Sequence, residues 1–193
     1  LGRFVATDAP LNLAVTAALA SMHLALRGPS LRRRWWLIAA VACGLGLLAK
    51  GPVVMVLVGG PVLGYTLLRR DSVRPSLLQL LAFTTIMLVA AAPWYAAMIA
   101  REPEFARVFF WKHHFQRYVE PFDHAKPFWF YVPGFAFGTL PWSLLFIPLG
   151  LHWYERRRDL LSGPASEQLF PLLAAIWCLF FFSVSGCKRV GYV

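Results

Sequence analysis

The chain has 193 residues, of which 59% are hydrophobic, 16% aromatic and only 15% charged, with a formal net charge of +10; its mean hydropathy is +0.58. A soluble domain carries about 25% charged residues and cannot hide so large an apolar fraction in one core, so the composition excludes an ordinary water-soluble fold and makes a bilayer the solvent. The positive charge does not indicate a nucleic-acid partner, because the basic residues sit between long apolar runs and form no separate basic domain.

Six apolar segments follow one another, at 9–26, 34–50, 52–68, 77–100, 128–151 and 169–185. A spanning helix needs about 20 apolar residues, within about 17–25. The fourth and fifth segments meet that length comfortably. The second, third and sixth are short, with Arg or Trp flanks able to snorkel to the interface. In lipid each backbone group must be satisfied within its own segment, which favours helices, and the period-two alternation of a barrel strand is absent. The expected fold is all-α, a polytopic transmembrane helical bundle of about six spans. Leu1 opens in a polar turn and Val193 closes without a finishing element, so residues 1–193 read as part of one transmembrane domain cut at both ends.

Pro10 and Pro52 fall at first-turn positions, where a missing N–H costs little. Pro61, Pro93, Pro133 and Pro141 fall inside or near spans and are expected to kink them. Gly44, Gly46, Gly59, Gly60 and Gly64 read as points of close helix approach. Cys43, Cys178 and Cys187 form no CxxC pair, so neither a disulfide framework nor a zinc site is implied.

Alternate connections carry the arginines: Arg27 and Arg32 to Arg34, then Arg69, Arg70 and Arg74, then Arg156 to Arg158. Together these are ten of the nineteen Lys and Arg residues. The positive-inside rule makes that side cytoplasmic. The other side then receives Asp8, the Lys50-Gly51-Pro52 turn, the loop 101–127, and Lys188 with Arg189.

Each of these outer pieces has a plain reading and a chemical one. Asp8 is a helix N-cap, or a carboxylate that handles an acceptor proton or a metal, or both. Lys50, at the tip of a two-helix hairpin, snorkels to headgroups or holds a substrate phosphate as a point charge. In the loop 101–127, Phe105, Val108, Phe109, Phe115, Val119 and Phe122 recur at three- or four-residue steps, which suits an amphipathic helix lying in the interface. A second stripe holds Phe110, Trp111, His114, Arg117 and Tyr118. Aromatic rings favour this depth, and cations among them suit an anionic headgroup. His113, His114, Asp123 and His124 include metal-ligand types, yet adjacent histidines point to different sides of a helix and do not share one ion. After the sixth segment, Lys188 and Arg189 with Tyr192 suit a lipid-linked phosphate, or anchor the span end.

The order RFVATDAPLNL, LLAKGPV, APWYAAMIAREPEF, FFWKHHFQRY, HAKPFWFYVP, GTLPWSLLFIP and FFSVSGCKRVGYV resembles the bacterial lipid A aminoarabinose transferases and the protein O-mannosyltransferase-like membrane glycosyltransferases of the GT-C class. The resemblance covers nearly the whole chain. It implies a bacterial inner-membrane enzyme with a periplasmic site. Such an enzyme takes a sugar from a polyprenyl-phosphate donor and passes it, with inversion, to lipid A, another glycolipid, a polysaccharide or a protein. It matches Asp8 to an outer-loop acid, Lys50, Arg117 and Lys188 to basic positions near the carrier phosphate, and His114 to the His of a Glu-His-x-Gln-Arg pattern. His113, a candidate ligand for a divalent metal ion, stands where that pattern has Glu. CKRVGYV replaces a Lys-Leu-Pro-Thr-Tyr run, which weakens lipid A as acceptor. The family's best-known catalytic carboxylate lies on an earlier outer loop, expected upstream of Leu1. The rival readings are a transporter or a non-catalytic multi-pass protein, which would place ionisable groups at mid-membrane or lack a site, and a different membrane transferase such as a polysaccharide ligase or polymerase.

Overall fold

The computed structural model describes residues 8–69, 73–116, 127–162 and 167–185. Among them the regular structure is all helical: α1 (Asp8–Leu26), α2 (Arg33–Lys50), α3 (Val53–Leu68), α4 (Leu77–Arg101), α5 (Arg107–Gln116), α6 (Tyr131–Gly138), α7 (Phe146–Glu155), α8 (Arg157–Ser162) and α9 (Leu169–Val184). Five of the six apolar segments coincide with α1, α2, α3, α4 and α9 to within one residue at each end. Apolar patterning sets those bounds because charged or turn-forming residues flank each run. At the start of α4 a local device adds to it. Ser76 Oγ accepts the Gln79 N–H at 3.3 Å, and Gln79 Oε1 accepts the Ser76 N–H at 2.8 Å, a reciprocal cap that satisfies two otherwise orphaned donors.

The fifth segment departs from the expected single span. It divides into Phe128–Gly138 and Trp142–Glu155, bent by 108°. Gly138 is a poor helix former, and Pro141 has no N–H to donate and disfavours helix in the residue before it. Thr139 closes the first piece, with its N–H and its hydroxyl both donating to Phe135 O, at 3.1 and 2.7 Å. Pro61 and Pro93, by contrast, are carried inside continuous helices.

By length and composition α1 (19 residues) and α4 (25 residues) suffice to cross a membrane, and the bent pair adds a third crossing if it counts as one. α3 and α9 have 16 residues each, roughly 24 Å at 1.5 Å per residue against a hydrocarbon core of about 30 Å. α2 has 18 residues but carries Arg33, Arg34 and Lys50 at its ends. The count of about six spans therefore does not follow from helix length alone.

α2 is the central helix, packed on α1, α4 and α3, while α9 packs along α3. Its inner face is built of small residues, Ala39, Ala40, Cys43 and Gly44 among them. At Gly44 a Cβ would stand 2.7 Å from Ala90 Cβ, so α2 and α4 touch at backbone distance. α3 meets α9 in the same way at Gly60, where a Cβ would fall inside the Trp177 indole. That indole donates to Val56 O at 2.8 Å. Gly59 has nothing within 4 Å and Gly64 makes only ordinary contact with Leu173, so neither marks a close approach. Outward, α4 presents Leu77, Leu78, Leu81, Val89 and Ile99 to the surroundings. An apolar face of this extent requires lipid or further helices over it.

The helices give the bundle two chemically distinct ends. Trp36 Nε1 donates to Gln79 O at 2.9 Å, tying the start of α2 to the start of α4. Phe170 at the start of α9 packs on His23 of α1 and Tyr65 of α3, near the ends of both helices. Trp153 of α7 donates to Gln168 at the entry of α9 at 3.0 Å. Arg27, Arg32 to Arg34, Arg69, Arg74 and Arg156 to Arg158 thus share one end, as the alternate-loop pattern requires. A leucine at Gly60 is expected to push α3 off Trp177 and cost about 1–3 kcal/mol of stability. The same change at Gly59 should cost little, as thermal melting of the two variants in detergent would show.

Candidate functional site

α1 and α2 form an antiparallel hairpin, so the start of α1 and the finish of α2 lie side by side at the end away from the arginine-rich connections. Asp8 is the first residue of α1 and Lys50 the last of α2. Each charge suits its helix terminus, an anion at the positive end and a cation at the negative end. Across this junction the Lys50 ammonium donates to the Asp8 carboxylate and forms an ion pair with it. The side chains are 29% and 33% exposed, respectively, which leaves the pair within reach of a ligand arriving from water.

The turn after Lys50 fixes where that ammonium stands. Gly51 has φ 71°, a backbone conformation that only glycine adopts without strain, and its N–H donates to Leu47 O at 2.8 Å. Pro52 follows and leads directly into α3. Three residues thereby reverse the chain and hold Lys50 at the tip.

Sequence reasoning missed a second tie to this turn. Tyr95 of α4 is buried, and its hydroxyl donates to Leu47 O at 2.6 Å. Its ring is surrounded by Trp94, Phe105, Phe109 and Phe110, with centroids between 5.0 and 6.3 Å away. The start of the long loop is thus brought to the same end as Lys50. The signal was present in APWY, because a tyrosine inside an apolar run must find a partner for its hydroxyl.

α5 corrects one detail of the periodicity. It is a π-helix, not an α-helix. Its wide turns bring residues five apart onto one face. Phe110 meets the Tyr95 ring alongside Phe105 and Phe109, where α-helical spacing put it on a second stripe.

Of the expected site residues, Asp8 and Lys50 are brought together. His113 and His114 fall within α5, and their side chains lie outside the description, as do Arg117, Lys188 and Tyr192 altogether. α9 runs antiparallel to α3 and finishes at Val184, at the end that carries Lys50. Among the described residues no group of three or more His, Cys, Asp or Glu side chains is placed to hold a metal ion.

Comparison with known proteins shows what the chain is similar to. Residues 1–96 match the dolichyl-phosphate-mannose-protein mannosyltransferase family. The undecaprenyl phosphate-alpha-4-amino-4-deoxy-L-arabinose arabinosyl transferase of Aeromonas hydrophila is 32% identical over the whole chain. The corresponding transferase of Pectobacterium atrosepticum is 33% identical, also over the whole chain. The crystal structure of ArnT from Cupriavidus metallidurans bound to undecaprenyl phosphate superposes with a TM-score of 0.78 at 29% identity, over 98% of this chain and 34% of that one. Its apo form gives 0.74. This chain resembles the GT-C membrane glycosyltransferases of the aminoarabinose transferase type. It spans about a third of the length of those relatives, 35% of the first and 34% of the second.

A double-mutant cycle with Asp8→Asn and Lys50→Met is expected to give a coupling of about 0.5–1 kcal/mol, because the pair is partly exposed. The coupling should shrink as salt is raised, as equilibrium unfolding in detergent at two ionic strengths would measure.

Proposed function

We propose that the chain is part of a membrane glycosyltransferase that passes a sugar from a polyprenyl-phosphate-linked donor to a glycolipid, lipid A, polysaccharide or protein acceptor. The observation that supports it most is the Asp8–Lys50 pair, an acid and a cation held together at the end of the bundle opposite the arginines. The likeness to transferases named for an undecaprenyl phosphate donor supplies the substrate class. By the positive-inside rule the arginine end is cytoplasmic, so the pair faces the outside of the inner membrane.

The chemistry follows from the donor. Its leaving group is a phosphate on a lipid, already negative, and it gains charge as the bond to the anomeric carbon breaks. A cation held against it stabilises that charge. We assign that role to Lys50, at the tip of its turn, with Arg117 and Lys188 as its partners, and assign donor binding to His114 and Tyr192 as well. The acceptor hydroxyl oxygen forms the new bond to the anomeric carbon from the opposite face, which inverts the centre. Its proton passes to a carboxylate, and Asp8 is our assignment for that base. An ammonium that turns from Asp8 to the phosphate leaves the carboxylate ready to take the proton.

In the full-length protein, Lys50→Ala, Arg117→Ala and Lys188→Ala are each expected to lower transfer by about 10²–10³-fold, and Asp8→Asn by about 10²–10⁴-fold. Membrane insertion should be unchanged. The assay is transfer of labelled sugar from a polyprenyl-phosphate donor in membranes. Wild-type turnover in the Lys50 or Asp8 variant would count against the reading.

A further inference from the structure

We infer that Tyr95 is a positioning residue for Lys50, one that ties the aromatic start of the long loop to the cation that meets the donor phosphate. This rests on the transferase reading above.

Leu47 and Lys50 occupy the last turn of α2, where backbone carbonyls have no helical N–H left to accept from. Leu47 O instead accepts two donors, the Gly51 N–H at 2.8 Å and the Tyr95 hydroxyl at 2.6 Å. The first bond is local and sets the turn. The second comes from α4, 48 residues away in sequence, and locks that turn against a different helix. Without it Leu47 O keeps only the bond from its own turn, and the backbone at a helix end frays more readily with fewer such bonds.

The other side of the strut is rigid too. Tyr95 is 8% exposed, and Phe105 and Phe109, stacked at 5.1 Å, press on its ring together with Phe110. A tyrosine buried among phenylalanines has few ways to satisfy its hydroxyl, and here it donates to Leu47 O. A displacement of α5 is therefore carried through the Tyr95 ring and its hydroxyl to the turn that bears Lys50. Contact between a substrate and the loop at 105–110 is in this way felt at the phosphate site.

Tyr95→Phe removes the strut and keeps the ring packing. The decisive test is binding of undecaprenyl phosphate to the purified full-length protein in four forms: wild type, Tyr95→Phe, Lys50→Ala and the double variant. A lost hydrogen bond that acts through Lys50 is expected to weaken binding about three- to tenfold in the wild-type background, and not at all once Lys50 is alanine. Melting of all four forms in detergent checks that each is folded. Backbone exchange in the 47–52 segment should quicken in Tyr95→Phe, a second readout that does not depend on affinity. Equal weakening in both backgrounds, or none in the wild-type background, overturns the positioning role. If Lys50→Ala itself binds undecaprenyl phosphate as wild type does, the transferase reading of Lys50 fails instead, and the two failures are told apart.

Discussion

Charge is excluded from the middle of an apolar helix, and this single constraint arranges the whole molecule. An ionised side chain at the centre of a bilayer costs several kcal/mol, so charges move to the helix ends. Antiparallel packing of α1, α2, α3, α4 and α9 then sorts those ends into two sets. One set is rich in arginine, with Glu155, Asp159 and Glu167 among it. The other holds Asp8 and Lys50, which pair with each other across the junction of two helices. A site for an anionic lipid headgroup needs little more: a cation at the water boundary, a carboxylate beside it, and a bundle that holds both in register.

Small residues supply the register. Gly44 lets α2 lie against α4, and Gly60 lets α3 lie against the Trp177 indole. Lipid offers no hydrophobic gain for helix association, so close packing and inter-helix hydrogen bonds must supply it. Trp36 to Gln79, Trp177 to Val56 and Tyr95 to Leu47 are bonds of that kind, each from a ring N–H or O–H to a backbone carbonyl of another helix. An aromatic side chain is apolar enough to enter the bundle and still brings one donor to satisfy a carbonyl there.

Much of this was legible in the sequence. Run length and flanking arginines marked the bounds of α1, α2, α3, α4 and α9, because the apolar-to-charged boundary is also the physical boundary of each helix. The placement of Asp8 and Lys50 at one end followed from counting crossings. Three features did not follow. The break at Gly138–Pro141 sits inside a run that is apolar throughout, so hydropathy carries no mark of it. The π-helical turns of α5 depart from the three- and four-residue repeat of an α-helix, and Phe110 meets Tyr95 beside Phe109. The Tyr95 bond to Leu47 joins helices distant in sequence, and only the partner requirement of a buried hydroxyl hinted at it. Likeness across the full chain to transferases named for an undecaprenyl phosphate donor is what supports the proposed donor class, which neither charge nor packing specifies.

The claim beneath all of this is that the acid–cation pair and the arginines face opposite sides of one membrane. Single cysteines in a background with Cys43, Cys178 and Cys187 replaced by alanine test it directly, through a membrane-impermeant thiol reagent applied to cells with an intact inner membrane. Ala9→Cys and Pro103→Cys are expected to react from outside, and Ser30→Cys and Arg74→Cys only after the membrane is opened. Labelling of Ala9→Cys and Ser30→Cys from the same side would contradict the account.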